Sequence, residues 1–149
     1  MRVTEWDFII IDILNALQIW EKETEYPVTY NQSGAQEYLW LLVNDPDTAI
    51  FVNYDEDTLR GFAIASRDKE FQNEYFGYLT KLYVLPEGRG TSAARELMQE
   101  IVDWFDESQC IASFAVPTAG IGQDRAYVNL LRKYNYNPTG ETLIRKRHG

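Results

Sequence analysis

At 149 residues, with 45% hydrophobic and 14% aromatic side chains, the chain is about one domain long and carries ample material for a single packed core over residues 1–149. A formal net charge of −9 argues against a general nucleic-acid binder, which needs a positive footprint, and leaves a surface that tolerates or attracts cations. One cysteine, Cys110, rules out an intrachain disulfide and fits a reducing, cytoplasmic interior; it opens the apolar run IASFAV, as a buried structural thiol does, rather than sitting as a nucleophile does.

The elements follow in chain order. A helix is predicted over Asp7 to Glu23, with Phe8, Ile11, Leu14 and Asn15 at helical spacing and Glu21 to Glu25 as a wet end. Asp7 and Asp12 interrupt its apolar patch, and it shows neither a cationic leader of any size nor a small-residue cleavage site. It therefore reads as a core helix, with no membrane association expected. After a turn at Tyr26 and Pro27, Ser33 and Gln36 make a capping-box pattern before Tyr38, Leu39, Leu41 and Leu42, and Asp45 with Pro46 stops this second helix. Thr48 to Tyr54 and Leu59 to Ser66 read as strands of a hairpin joined by Asp55, Glu56 and Asp57, and Glu74 to Leu85 supplies a third strand of the meander.

The segment YLTKLYVLPEGRGTSAARELMQEIVDW, Tyr78 to Trp104, is the most informative in the chain. Its strand ends at Pro86, which cannot donate to a sheet ladder, and Ala94, Leu97, Met98, Ile101, Trp104 and Phe105 then form a helical apolar stripe opposite Arg95, Glu96, Gln99, Glu100 and Asp103. Between them, Glu87 to Ser92 bring small side chains and main-chain amides without intrahelical acceptors, a combination that accepts phosphate. Ile111 to Val116 is a further strand, next to or near its predecessor if the helix is a crossover. Pro117, Gly120 and Gly122 form a loop, Asp124 to Tyr134 a last helix and Glu141 to Arg147 a last strand.

These residues resemble the acetyl-CoA-binding segment of the GCN5-related N-acetyltransferases, whose signature Q/R-x-x-G-x-G/A follows a strand ending in a Val-x-Pro-like sequence. Arg89, Gly90, Thr91, Ser92, Ala93 and Ala94 occupy the six places, with Ser92 where glycine is usual. The resemblance implies an α/β (α+β) fold in which a mixed, mostly antiparallel central sheet splays between two strands and is flanked by about four helices, Arg2 to Glu5 serving as the first strand. It also implies that Leu82, Tyr83 and Val84 pair with the pantetheine arm of acetyl-CoA, and that amides from Arg89 to Arg95 meet its pyrophosphate, with Arg89 or Arg95 either adding a charged contact or pointing into water.

What the resemblance implies about catalysis is less regular. Family members often carry a glutamate base on the strand before the Val-x-Pro lead-in, and Tyr78 stands at the corresponding position. Glu74, four residues upstream, is either a base acting through water or an exposed charge near a strand end. Aligning the family's thiolate-protonating tyrosine segment on LLRKYNY puts Leu131 at the tyrosine, so Tyr134 or Tyr127, three residues after and four before, are the candidate acids, with ordinary core packing as the alternative for both. Tyr75, Phe76, Tyr78, Trp20, Tyr26 and Tyr30 are candidates to line an acceptor pocket. His148 lies in a tail with no metal-ligand spacing, so no metal is expected.

The expected activity is acetyl-CoA-dependent N-acetylation of a primary amine by direct attack, the acceptor being a small-molecule amine or a protein amine. The alternative is a catalytically degenerate acyl-CoA-binding or protein-interaction domain of the same fold, motivated by Tyr78, Ser92 and Leu131. Apolar edge strands are compatible with a homodimer.

Overall fold

Ala49 to Val52 form a hydrophobic run without alternation, and all four side chains are buried, which requires protein on both faces of the strand they occupy. The computed structural model of the chain, which describes residues 1–6, 8–24, 31–69, 73–115 and 124–139, places that strand near the middle of a five-stranded sheet. Strands β1 (Arg2–Val3), β2 (Thr48–Asp55), β3 (Thr58–Asp68), β4 (Tyr75–Val84) and β5 (Cys110–Ala115) lie in the order β1-β2-β3-β4-β5. All pairs are antiparallel except β4 and β5, which are parallel and joined by helix α3 (Ala93–Glu107) as a crossover. The predicted meander and crossover are both present.

Helices α1 (Ile9–Thr24) and α2 (Gln32–Val43) cover one face, where Ile10, Ile13, Leu17, Trp20 and Leu39 pack with Ile50, Val52, Phe62 and Ile64. Helices α3 and α4 (Asp124–Lys133) cover the other, where Leu97, Met98, Ile101, Trp104 and Phe105 pack with Phe51, Ala63, Ala65, Leu79 and Leu82. Each fully buried Ile or Leu contributes about 1.5–3 kcal/mol, so truncating Ile101, which is fully buried, to alanine costs about 2–5 kcal/mol. None of the described helices is long and apolar enough to cross a membrane.

Two predicted details differ. The inward stripe of α1 runs through Ile9, Ile10, Ile13, Ala16, Leu17 and Trp20, while Phe8 and Ile11 are 72% and 59% exposed; only Leu14 of the expected set is buried. With apolar residues at nearly every early position of the helix, several stripes satisfy the same spacing, and Trp20, the largest of the side chains, lies on the stripe that packs against the sheet. The cap of α2 is Asn31 rather than Ser33, because the Asn31 side chain accepts from the Gly34 amide at 3.0 Å. The predicted strand Glu141 to Arg147 and the loop containing Gly120 and Gly122 lie outside the described residues.

The ladder between β4 and β5 runs only from Tyr75 and Cys110 to Leu79 and Ala115. Immediately beyond it β4 bulges: Ile64 pairs with Lys81 and Ala65 with Leu79, so Thr80 is the extra residue, and its hydroxyl donates to the Ile64 carbonyl at 2.9 Å. A bulge bends and twists its strand. Leu82, Tyr83 and Val84 therefore follow a kink and have no β5 partner among the described residues.

Candidate active site

After Val84 the chain must turn sharply onto the sheet. Leu85 donates its amide to the Arg60 carbonyl at 2.8 Å, and a 3-10 turn over Pro86–Gly88 follows, closed by the Gly88 amide on the Leu85 carbonyl at 2.9 Å. Gly88 is obligatory here, since a Cβ would run into the Arg60 backbone. Gly90 follows with φ of +77°, in the left-handed region that favours glycine, and a Cβ there would project into open space. Thr91 then ties the corner: its hydroxyl donates to the Gly88 carbonyl at 2.5 Å and accepts from the Ala93 amide at 3.2 Å.

These bonds decide which amides remain for a ligand. Those of Arg89, Thr91 and Ala93 are used within the turn, and that of Glu96 donates to the Ser92 carbonyl at 2.9 Å. The amides of Gly90, Ser92, Ala94 and Arg95 meet no acceptor among the described residues. They lie at the positive end of α3, a helix of 15 residues, where an anion gains from both donors and dipole.

A cleft of about 340 Å³ opens onto this corner, lined by Leu82, Tyr83, Val84, Gly88 to Thr91 and Ala94 on one side and by Ala126, Tyr127 and Leu130 of α4 on the other. Of the ten residues expected around the cofactor, seven line it: Leu82, Tyr83, Val84, Arg89, Gly90, Thr91 and Ala94. Ala93 is fully buried behind the corner, Arg95 is exposed outside it, and the Ser92 hydroxyl donates to Glu96 at 3.1 Å. Arg89 is already engaged. Its Nη2 donates to Glu23 of α1 at 2.7 Å, and its Nε to the Val84 carbonyl at 3.2 Å. The Tyr83 hydroxyl also donates to Glu23. The hydrogen bond from Arg89 holds Glu23 below the usual carboxylate range, while burial and then the bond to Glu23 push Tyr83 well above that of a phenol.

The candidate catalytic residues separate. Tyr127 lines the cleft, and its buried hydroxyl has no hydrogen-bond partner among the described residues. Burial, with Tyr136 as a lesser cause, holds its proton on well above the ordinary range, so it is a donor at neutral pH. Tyr134 packs against the core with its hydroxyl donating to the Arg95 carbonyl at 3.0 Å, outside the cleft lining. Leu131, at the family's tyrosine position, is buried in the same core. Glu74 is exposed before the start of β4, six residues and roughly 20 Å of strand from the bulge.

Tyr78 faces a second concavity, of about 480 Å³, with Thr80, Ser66, Arg67, Asp68, Asp45, Asp47 and Thr48, and its ring stacks on Phe114 at 5.7 Å. Phe76 joins the same stack at 6.1 Å, whereas Trp20 belongs to the core, with the Lys81 ammonium 3.4 Å over its ring. Tyr26, Tyr30 and His148 lie outside the described residues. Cys110 is only half-buried, at the β5 end paired with Tyr75 and away from the cleft lining, and burial raises its thiol. Neither Glu23 nor the Thr80 bulge was anticipated. The adjacent polar pair Thr80 and Lys81 inside an apolar strand was the one signal for the bulge; Glu23 gave none, because its contact spans 66 positions.

This sheet, split at a bulge and closed by an amide-rich corner, is the architecture of acetyltransferases. The profile of the Acetyltransferase (GNAT) family matches residues 14–129, and the chain belongs to that family. A search of the curated proteins found no match. Among solved structures, an aminoglycoside acetyltransferase, meta-AAC0020, from an uncultured soil metagenomic sample is 16% identical, covering 100% of this chain and 93% of its own, with a TM-score of 0.70. AAC(6')-Iy in complex with the bisubstrate analog CoA-S-monomethyl-acetylneamine is 14% identical over 100% and 97% of the two chains, with a TM-score of 0.72. A predicted acetyltransferase from Clostridium acetobutylicum, solved with acetyl-CoA, is 16% identical over 93% and 88%, with a TM-score of 0.69.

Proposed function

We propose that the protein is an acetyl-CoA-dependent N-acetyltransferase acting on a primary amine by direct attack. The observation that carries this reading is the cleft at the split in the sheet, which joins unsatisfied corner amides to an unpartnered tyrosine hydroxyl. The diphosphate binds the amides of Gly90, Ser92, Ala94 and Arg95, and the pantetheine arm runs along Leu82 to Val84. A neutral amine attacks the thioester carbonyl, the C–N bond forms as the C–S bond breaks, and the departing thiolate takes a proton from Tyr127, which water returns before the next turnover. No carboxylate of the described residues lines the cleft, and the ammonium proton leaves through water, with Glu74 and Tyr78 at most distant partners in that path.

The second concavity supports an acceptor that is itself cationic. It opens on the face of β4 opposite Leu79, reaches the bulge at Thr80, and sets Asp45, Asp47 and Asp68 against Arg67 beside the Tyr78 and Phe114 rings. Each carboxylate attracts an ammonium at 4 Å by about 1 kcal/mol even in water. Aminoglycosides, the class that names one of the similar structures, belong in the test panel with polyamines and lysine peptides.

That no carboxylate among the described residues lines the cleft also favours a second reading, an acyl-CoA-binding domain that has lost catalysis. Titration with acetyl-CoA and a thiol-release assay over the amine panel separate the two. Binding with turnover supports the enzyme, binding without turnover on any amine supports the second reading, and no binding overturns both.

A further inference from the structure

Glu23, in the last turn of α1, reaches across 66 positions to the guanidinium of Arg89, the residue that opens the phosphate-binding motif. The contact is a 2.7 Å ion pair, and Tyr83, on the strand that lines the cleft, donates its hydroxyl to the same carboxylate oxygen. Arg89 is steered further by its Nε bond to the Val84 carbonyl, at 3.2 Å. One cation of the cofactor corner is thus matched by an anion from the opposite helix layer before any ligand arrives.

We propose that Glu23 is a positioning residue which, through Arg89, weakens the hold of the corner on an anionic diphosphate. The inference rests on the cofactor reading above. Two effects act in the same direction. The carboxylate neutralises the one guanidinium that lines the cleft among the described residues, and a bound diphosphate must share Arg89 with it. Its own negative charge also repels the phosphates. The arrangement gives the protein a site shaped by neutral amides, whose grip on the spent thiol is loose enough for release.

Glu23→Gln isolates this role, because glutamine still accepts hydrogen bonds from Arg89 and Tyr83 while removing the charge. Acetyl-CoA and S-acetyl-pantetheine, which has the thioester arm and no diphosphate, are titrated into wild type, Glu23→Gln, Arg89→Gln and the double variant. The variant is expected to bind acetyl-CoA about three- to fivefold more tightly at low salt, the range of a partly exposed ion pair. The gain is absent for S-acetyl-pantetheine, fades at high salt and in the Arg89→Gln background falls to the part that comes from direct repulsion between Glu23 and the phosphates. A merely structural role for Glu23 changes both ligands alike. Unchanged or weaker binding of acetyl-CoA by Glu23→Gln overturns the proposal, and Glu23→Ala gives the same sign if the glutamine variant fails to fold. Failure of wild type to bind acetyl-CoA overturns the cofactor reading itself, and is told apart by the wild-type titration alone.

Discussion

Replacing Tyr127 by phenylalanine pulls stability and activity in opposite directions. The hydroxyl is buried and meets no hydrogen-bond partner among the described residues, and a buried polar group left unmatched costs about 1–3 kcal/mol. Because the cleft admits water, the lower end applies, and Tyr127→Phe is expected to stabilise the unliganded protein by about 1 kcal/mol. For a domain of this size that raises Tm by roughly 2–4 °C. A general acid is worth about 10²–10⁴ in rate, but a thiol whose ordinary pKa is ~8.5 leaves readily without help. The expected loss of kcat is therefore about ten- to a hundredfold, with acetyl-CoA affinity unchanged. Thermal melting and thiol-release kinetics on the same preparations measure both quantities. A lowered Tm with unaltered turnover would refute the reasoning, since it would mean that the hydroxyl holds the fold together and donates nothing to the sulfur.

Tyr134→Phe should behave in the reverse manner, losing about 0.5–1.5 kcal/mol in a denaturant titration because the bond to the Arg95 carbonyl is removed, with no change in kcat. Gly90→Glu adds a carboxylate that projects into the cleft at φ of +77°; calorimetry should show at least about tenfold weaker acetyl-CoA binding, and melting a strain cost of about 1–2 kcal/mol. Burial lowers Lys81 from 10.5 to about 8, so between those values the unfolded chain binds more protons and this residue's contribution to stability rises with pH. Lys81→Met removes this titration, so in urea titrations the rise in stability between pH 8 and 10.5 should be smaller for the variant than for wild type.

Much of the architecture was legible because each signal was local. The meander showed in strand-length apolar runs, the acidic corner Asp55 to Asp57 joined β2 to β3, and α3 showed in a stripe whose six apolar members start at Ala94 and recur at three and four. The corner between β4 and α3 was legible for the same reason: Gly90 is needed for a backbone conformation and Gly88 for a close approach, both properties of one residue and its neighbours. Where the reading failed, the information was relational. The α1 stripe was ambiguous because Phe8 to Ile11 are all apolar, and only packing against β2 and β3 selects which of them turn inward. That Tyr127 and not Tyr134 lines the cleft was hidden because the Tyr134 hydroxyl is held by the Arg95 carbonyl, a contact across 39 positions. Glu23 was invisible for the same reason.

The claim on which the account turns is that the corner between β4 and α3 grips the diphosphate of acetyl-CoA through its unsatisfied amides. Titrating acetyl-CoA into isotope-labelled protein while following backbone amide resonances tests it directly. The account predicts the largest shifts at Gly90, Ser92, Ala94 and Arg95, with smaller ones along Leu82 to Val84. Shifts centred on the Asp45, Asp68 and Tyr78 concavity instead, or none at saturating ligand, would contradict it.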